Sequence, residues 1–285
     1  MATWFITGAG RGLGFEIAQH ALAAGDNVVA TARNKSSIDD AFQHSPNGRV
    51  LPVALDVTDE TQVESAVEEA LERFGGIDFL VNNAGRGLLG AVEEASAAEV
   101  QTVFETNVFG VLNVIRVVLP SMRSRRSGHI VNIGSMGGFA QVAGWGVYGA
   151  TKFALEGLSE AMHAELAPLG IYVTIVEPGS FRTNFLDGSS LQTIEREYAD
   201  YSETAGRVRH AVDGSNGGQP SDPARGAAVI VEAVTSENPP LRLQVGPDAV
   251  AMVEGKLARV RDELEAWRDL ASNTAFTTSP SNSVK

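Results

Sequence analysis

A tyrosine and a lysine lie four residues apart in the stretch GVYGATKFAL (146–155), at Tyr148 and Lys152. The apolar residues around them predict a buried helix, and residues four apart on a helix share one face. A free phenol, with a pKa of about 10, is a poor acid at neutral pH, but a neighbouring ammonium stabilises the phenolate and lowers that pKa. The pair is therefore suited to donate a proton to a carbonyl oxygen or to accept one from an alcohol.

Two further polar residues belong to the same hypothesis. Ser135 follows the strand-like run HIVNIGS, where its hydroxyl can hold a substrate oxygen opposite the phenol. Asn107, in the predicted helix ETNVFGV, can hold a water beside Lys152. An isolated tyrosine and lysine at this spacing are more typical of a phenol at the core edge and a surface lysine. The presence of Ser135 and Asn107 favours the catalytic interpretation.

A glycine-rich turn, TGAGRGLG (7–14), directly follows the first strand-like run and opens a helix. Glycines at positions 8, 12 and 14 allow a tight turn, close approach of the backbone to a pyrophosphate, and close packing of the helix on the sheet. Many glycine-rich turns only reverse the chain, but the strand before this one and the helix after it favour a dinucleotide site.

The residues after the second strand bear on the choice of cofactor. An acid there would accept the ribose hydroxyls of NAD and repel a 2′-phosphate, but the sequence ATARN offers Ala32 and Arg33 instead. Arg11, inside the glycine turn, adds a second guanidinium, and guanidinium groups pair well with phosphate. NADP is therefore predicted over NAD. The alternative is that both arginines are ordinary surface charges.

Motifs at two later strand ends extend the predicted cofactor side. Asp56, in LDVTD, either accepts a hydrogen bond from the adenine amino group or caps the next helix. In NNAG (82–85), Asn82 is predicted to bridge neighbouring backbone, and Gly85 lets the chain pass close to the cofactor.

All these motifs lie along a chain in which short β-branched runs alternate with helical patterns. The alternation predicts an α/β fold with a doubly wound parallel sheet (Rossmann-like), as one domain over residues 1–271. Ligands of such sheets bind outside the carboxyl ends of the strands. The residues predicted at those ends are Gly8, Arg33, Asp56, Asn82, Ser135 and Pro178.

The last third of the chain follows a looser pattern. Residues 183–219 are rich in Gly, Ser and Asn, which predicts a mobile substrate loop over the site, with one helix over residues 191–201. The remaining predicted elements are a helix capped by Ser221 or Asp222, a strand over 241–246, an amphipathic helical extension over about 248–270, and a disordered tail over 272–285.

Taken together, the motifs are similar to those of the short-chain dehydrogenase/reductase family, in its short single-domain branch. They match in order and spacing over residues 3–183, ending with PGSFRT (178–183). The resemblance implies a catalytic tetrad of Asn107, Ser135, Tyr148 and Lys152, with Lys152 also binding the nicotinamide ribose. The sequence departs from the family at Gly134, where a second serine is frequent, and at Phe181, where a smaller aliphatic is usual. The predicted cofactor-binding residues are Gly8, Arg11, Gly12, Leu13, Gly14, Arg33, Asp56, Asn83, Ala84, Gly85, Tyr148, Lys152, Pro178, Gly179, Phe181 and Thr183.

The predicted substrate is an apolar ketone, aldehyde or alcohol. The residues expected to form the walls of its pocket are Phe139, Val142, Trp145, Phe185 and Leu186. They are apolar, and no cluster of Lys or Arg lies among them to bind an anionic substrate. One alternative is an NAD-dependent secondary alcohol or hydroxysteroid-type dehydrogenase. Another is a dinucleotide-binding regulator without activity, against which the intact tetrad speaks.

Composition limits the partners. A formal net charge of −13 argues against binding to nucleic acid or to an anionic membrane. No metal site is expected, because the five histidines lack ligand spacing, and the absence of cysteine favours a cytoplasmic location. The helix predicted over residues 107–122 is apolar nearly all round, which predicts a homodimer or homotetramer.

Overall fold

The computed structural model describes residues 1–46 and 48–276. Its strands, numbered in chain order, are β1 (Thr3–Thr7), β2 (Asn27–Ala32), β3 (Val50–Ala54), β4 (Phe79–Asn82), β5 (Gly87–Leu89), β6 (Gly128–Ile133), β7 (Ile171–Pro178), β8 (Leu191–Thr193) and β9 (Arg242–Val245). Its helices are α1 (Gly12–Ala23), α2 (Lys35–Phe42), α3 (Glu60–Phe74), α4 (Ala97–Phe104), α5 (Gly110–Arg125), α6 (Gly146–Leu166), α7 (Arg207–Asp213), α8 (Pro223–Val234) and α9 (Pro247–Ser272).

Seven of these strands form one parallel sheet in the order β3-β2-β1-β4-β6-β7-β9. Alternate residues of each strand face opposite sides of the sheet, so neighbouring residues join different cores. Phe5 and Leu80 pack toward α3, α5 and α6, whereas Trp4 and Ile6 pack toward α1, α2 and α8. The predicted doubly wound architecture is confirmed.

The strand order reverses beside β1, because the chain runs outward from β1 to β3 and then returns to β4. At such a reversal the loops that follow neighbouring strands diverge, and a crevice opens at the carboxyl edge of the sheet. The predicted strand-end residues therefore converge on one region.

One continuous helical segment, Ala97–Arg125, joins α4 to α5 through a π-helical turn at Glu105–Phe109. It is longer than the helix predicted over residues 107–122. By length and composition alone this segment could cross a membrane, yet half of its most apolar window is buried inside the protein. Val114 and Val118 lie within one of the two cores, which identifies the segment as a core helix.

The segment between β7 and α8 differs from its prediction. The helix expected over residues 191–201 does not form, because Leu191–Thr193 is the strand β8, which pairs in parallel with β5. Leu191 and Ile194 are buried. That tertiary burial, together with the pairing to β5, outweighs the local helical pattern.

The C-terminal elements agree with their predictions. The side chain of Asp222 accepts a hydrogen bond from the Ala224 backbone N–H, so Asp222 is the cap of α8, and Pro223 is its first residue. β9 lies within the predicted range 241–246, and α9 extends the predicted amphipathic helix by a residue or two at each end. Most of the predicted tail, residues 277–285, lies outside the described residues.

Candidate active site

A cavity of about 1090 Å³ opens at the carboxyl edge of the main sheet. It exceeds the usual range for a single small ligand, whose upper end is about 1,000 Å³, so it has room for a dinucleotide and a second molecule. The predicted site residues that line it are Gly8, Arg11, Gly12, Leu13, Arg33, Asp56, Asn83, Ala84, Gly85, Ser135, Val142, Trp145, Tyr148, Lys152, Pro178, Gly179, Phe181, Thr183, Phe185 and Leu186. Three predicted site residues, Gly14, Asn107 and Phe139, do not line it.

The glycine turn leaves its backbone open to a ligand. Gly8 and Gly12 have φ values of +68° and +59°, the left-handed region in which glycine is unstrained. A Cβ atom on Gly14 would lie 2.4 Å from the Asn83 Nδ2 atom and 2.7 Å from the Gly8 carbonyl oxygen, so Gly14 allows α1 to pack against the turn. Because α1 begins at the turn, its free N–H groups suit a pyrophosphate. The turn therefore fits a dinucleotide.

Thr7, the last residue of β1, is a site residue that the sequence analysis missed. Its hydroxyl oxygen accepts hydrogen bonds from the backbone N–H groups of Asn83 and Ala84, both at 2.9 Å. The Asn83 side-chain amide in turn donates to the carbonyl oxygens of Thr7 (2.9 Å) and Gly8 (3.0 Å). These bonds join the ends of β1 and β4. The position of a hydroxyl residue directly before the glycine turn is the signal that could have indicated this role.

Asn82, predicted to be structural, is buried and donates to the Asn132 side chain at 2.9 Å, which couples β4 to β6. Its role as a bridge between strands is thus visible in the structure, although its partner is a side chain rather than backbone.

The far end of the cavity lies beside β2 and β3. Ala32, Arg33 and Ser37 line it, and no carboxylate follows β2 at that point. Asp56 also lines the cavity, but its carboxylate accepts hydrogen bonds from the backbone N–H (3.0 Å) and hydroxyl (2.7 Å) of Thr58. It thus stabilises the turn before α3, whose N-cap is Asp59.

Arg11 has partners that the sequence analysis did not foresee. Its guanidinium donates to the hydroxyls of Ser189 and Ser190 and lies 3.7 Å from the carboxylate of Asp187. All three belong to the substrate loop, residues 183–219. In this arrangement Arg11 ties the glycine turn to that loop rather than standing free beside Arg33.

Tyr148 and Lys152 are buried on the same face of α6. The Lys152 Nζ atom donates to the Ile133 carbonyl oxygen at 2.8 Å and lies 5.8 Å from the centre of the Tyr148 ring. The tyrosine ring is packed between those of Trp145 and Phe185, with centroids 5.6 and 5.7 Å away. Both polar groups are therefore held in fixed positions at the cavity wall.

The pKa of the phenol differs from the prediction. Burial raises the pKa of Tyr148 to about 12, and its hydrogen bond with Ser135 counteracts only part of that increase. Burial also lowers the pKa of Lys152 to about 8. Here desolvation outweighs the expected effect of the ammonium on the phenol, because neither charged form is well solvated. At neutral pH the phenol keeps its proton and the lysine remains mostly charged.

Asn107 lies behind the cavity wall, in the π-helical turn. Its side chain is fully buried and accepts from the Arg86 N–H (2.9 Å) while donating to the Arg86 carbonyl (2.9 Å) and the Thr151 hydroxyl (3.0 Å). A Cβ atom on Gly85 would lie 3.3 Å from the Asn107 Oδ1 atom and 3.7 Å from the Lys152 Nζ atom. Asn107 thus holds the chain beside the lysine, and its role in holding a water there stays a prediction.

The other end of the cavity has apolar walls. Val142, Trp145, Phe185 and Leu186 line it as predicted. Phe139 does not, because it follows a one-turn 3₁₀ helix, Met136–Gly138, that places Met136 and Gly137 at the wall instead. The cavity is also lined by residues that the sequence analysis missed, among them Met136, Gln141, Val212, Gln219, Pro220 and Met252.

A buried ion pair holds the substrate loop in place. Glu94 is inaccessible to solvent, and its carboxylate accepts from the backbone N–H groups of Ala91 and Tyr198, both at 2.8 Å, and from the Arg209 guanidinium. Burial acts to raise the pKa of Glu94, but these donors outweigh it and lower that pKa. Tyr198 and Arg209 both belong to the loop, so one carboxylate anchors it at two points.

Comparison with known proteins places this geometry among nicotinamide-dependent enzymes. Residues 2–193 match a family described as short chain dehydrogenase. The chain is 40% identical over 273 residues to "Oxidoreductase BOA17" of Botryotinia fuckeliana, covering 95% of this chain and 98% of the relative. It is 38% identical over 244 residues to the 3-ketodihydrosphingosine reductase of Bacteroides thetaiotaomicron, covering 85% and 87%. With human retinol dehydrogenase 8 the identity is 36% over 260 residues, covering 85% and 80%.

Comparison with solved structures finds the same fold. A short-chain dehydrogenase from Streptomyces avermitilis superposes with a TM-score of 0.89 at 44% identity, covering 96% of this chain and 100% of the other. A serine dehydrogenase complexed with NADP+ has a TM-score of 0.73 at 26% identity, with 86% and 95% covered. A family protein from Burkholderia phymatum in complex with NAD has a TM-score of 0.78 at 25% identity, with 98% of each chain covered.

Proposed function

The chain belongs to the short-chain dehydrogenase/reductase family of oxidoreductases, and on that premise we propose that it interconverts an apolar ketone or aldehyde and the corresponding alcohol with NADP(H). The observation that carries this proposal is one cavity with a glycine turn at one end, Ser135, Tyr148 and Lys152 in the middle, and apolar walls at the other end. Each part has a separate task.

In the direction of reduction, Tyr148 donates its phenolic proton to the substrate oxygen while the Ser135 hydroxyl holds that oxygen from the other side. When bound, the nicotinamide ring supplies the hydride for reduction and accepts it in the reverse direction. An alkoxide is a stronger base than a phenolate, so a phenol with a pKa of about 12 still protonates it. The Lys152 ammonium, oriented by the Ile133 carbonyl, then stabilises the phenolate.

The preference for NADP rests on the far end of the cavity. Arg33 lines it where an NAD enzyme would place an acid, and a guanidinium there attracts a 2′-phosphate. Arg11, in the glycine turn, lines the same cavity and can add positive potential without leaving its contacts in the substrate loop.

The proposal of an apolar substrate rests on Val142, Trp145, Phe185 and Leu186. Two relatives support it, since their names refer to retinol and to 3-ketodihydrosphingosine, both largely hydrocarbon molecules.

We also keep the predictions of a cytoplasmic location and of self-association. The exposed Phe109 and Phe153, on the outer side of the helices that follow β5 and β6, support self-association.

The test is a panel of apolar ketones, sugars and acyl thioesters, assayed by loss of the reduced-nicotinamide absorbance with NADPH and with NADH. We expect turnover of the apolar ketones with NADPH. Phe185→Ala should change the order of preferred ketones, whereas Phe139→Ala, outside the cavity, should leave that order unchanged. Turnover of only sugars or thioesters would refute the proposed substrate class.

A further inference from the structure

The C-terminal half of α9 extends beyond the body of the protein. Val253 is the last of its residues that is buried, and from Glu254 to Ser272 every residue except the half-buried Lys256 is exposed. Large apolar side chains lie on this exposed part. Trp267 and Leu264, for example, are 63% and 56% exposed. A helix of this kind gains little from the subunit to which it belongs.

The apolar residues of α9 recur at alternating steps of three and four. The stripe consists of Val250, Val253, Leu257, Val260, Leu264, Trp267 and Ala271, of which Val253 is already buried by its own subunit. This period of 3.5 residues is the signature of a helix that packs along another helix in a coiled coil.

Charged residues flank the stripe on both sides and indicate the partner. Glu254 and Arg261 lie on one side, and Lys256 and Glu263 on the other. None of the four has an ion-pair partner among residues 1–46 and 48–276. Arg268 lies on the same side as Glu254 and Arg261 but is already paired with Glu265. Over residues 254–263 each side thus carries one acid and one base, a pattern that is complementary to itself when the direction is reversed.

We propose that α9 pairs antiparallel with α9 of a second copy of this chain, with the two-fold axis between Ala258 and Arg259. In this register Leu257 lies opposite Val260 of the second copy, and Trp267 lies opposite Val250. Lys256 then lies beside Glu263 of the second copy, and Glu254 lies beside Arg261, so all four flanking pairs attract.

Other arrangements of the same helices are less favourable. In a parallel pair, Lys256 faces Arg261 of the second copy while Glu263 faces Arg268, so that repulsion and attraction balance. An antiparallel pair shifted by seven residues in one direction places Glu263 beside Glu263 and Arg261 beside Arg261, and these repulsions offset the attraction between Glu254 and Arg268. Shifted in the other direction, it places Lys256 beside Lys256. Charge complementarity therefore selects one direction and one register.

A lipid surface is the main alternative for such a stripe, but the polar residues disfavour it. Helices that lie in a membrane interface are rich in Lys and Arg on their polar face. Residues 254–272 contain four basic and five acidic side chains, so they offer no net positive charge to anionic lipids.

The absence of cysteine in the chain makes a direct test possible in the full-length protein. Two single variants, Lys256→Cys and Glu263→Cys, are mixed and oxidised. We expect a disulfide between the two different variants, because these positions meet only in the antiparallel register. Leu257→Cys alone should not crosslink to itself. A self-crosslink at position 257 would instead show a parallel pair and overturn the proposal.

A second measurement follows self-association by light scattering across a concentration series. Leu257→Asp should weaken the α9-dependent step at least about tenfold, corresponding to about 1.4 kcal/mol. Ala258→Asp, on the opposite side of the helix, should have little effect. An unchanged association of Leu257→Asp would overturn the proposal. The proposal would also be overturned if the wild-type protein showed no self-association through α9 and instead sedimented with lipid vesicles. Reductase activity is not expected to depend on any of these outcomes.

Discussion

The cofactor end of the cavity is built from strand ends and tight turns, whereas its substrate end is built from a loop held by side chains. At the cofactor end, Gly8 and Gly12 shape the backbone, and the Thr7 hydroxyl and Asn83 amide bond to backbone groups. At the substrate end, the loop depends on Glu94 and on a two-strand sheet of three residues per strand. The first end depends on backbone conformation and on bonds to backbone groups, and the second depends on a few long-range contacts between side chains and the loop.

This difference lets one scaffold accept different substrates while keeping one site for a nicotinamide dinucleotide. Contacts made by backbone groups persist when neighbouring side chains change, so we expect the glycine turn to tolerate substitution of its other residues better than of its glycines. A loop that is anchored by a buried ion pair can alter its inner surface while the anchor stays. The reacting residues, Tyr148 and Lys152, lie on α6 between the two ends.

The largest effect is expected where the two ends meet. Tyr148→Phe should lower kcat by about 10²- to 10⁴-fold, since it removes the proton donor but leaves the ring packed between Trp145 and Phe185. Cofactor affinity, measured by quenching of tryptophan fluorescence on titration with NADPH, should change little. Hydride transfer at the wild-type rate would show that another group supplies the proton.

The next effect concerns the loop anchor. Glu94→Ala leaves the Arg209 guanidinium buried with only the exposed Glu197 carboxylate, 3.7 Å away, as a charge partner, which should cost about 3 kcal/mol of stability. We expect the substrate KM to rise while the Kd for NADPH stays the same. Glu93→Ala, which removes an exposed partner of Tyr201, is the matched control and should have little effect. Equal losses of both affinities would mean that the two ends are not separable.

The corresponding change at the cofactor end is Gly14→Ala. Its Cβ atom would lie 2.4 Å from the Asn83 amide, and the shift needed to relieve that clash should cost about 1–3 kcal/mol in thermal unfolding and weaken NADPH binding. Gly157→Ala, in α6 with nothing within 4 Å, should instead stabilise the protein by about 0.5–1 kcal/mol. If both variants behaved alike, close packing at the turn would not be the cause.

A smaller effect is expected at Arg33. Arg33→Asp should reduce the preference for NADPH over NADH about tenfold, or about 1.4 kcal/mol, by removing a guanidinium and placing a carboxylate near the 2′-phosphate. Lys35→Asp makes the same change in charge just outside the cavity and serves as the control. The ratio of kcat/KM for the two cofactors is the measurement. Equal ratios in both variants would place the phosphate elsewhere.

The smallest effect is a dependence on pH. Lys152 has a pKa lowered to about 8 by burial, so its ammonium is present below pH 8 and is lost as the pH rises above it. We expect kcat/KM for reduction to be level at neutral pH, to fall to about half near pH 8 and then to decline about tenfold per unit. Tyr148, with a pKa of about 12, should not titrate in this range. A level profile well above pH 8 would contradict the role of the ammonium.

Much of the fold and the cofactor end could be predicted from the sequence because the signals are local. A run of β-branched residues predicts a strand, and glycines at fixed spacing directly between a strand and a helix predict a dinucleotide-binding turn. The spacing of Tyr148 and Lys152 placed both residues on one helical face, and the structure has them there. The role of Thr7 was not predicted, although Thr7 lies beside the turn, because its hydroxyl bonds to the residue that follows β4, which is distant in the chain.

The amino-acid sequence by itself determined the parallel sheet, the glycine turn and the residues available for proton transfer, because these depend on backbone geometry and on spacing within one element. Only the tertiary structure decided the rest. In the tertiary structure, residues 191–193 form a strand and Arg11 bonds to the substrate loop. Phe139 lies outside the cavity, and burial raises the pKa of Tyr148. Each of these depends on burial or on a partner distant in the chain, and neither can be read from neighbouring residues.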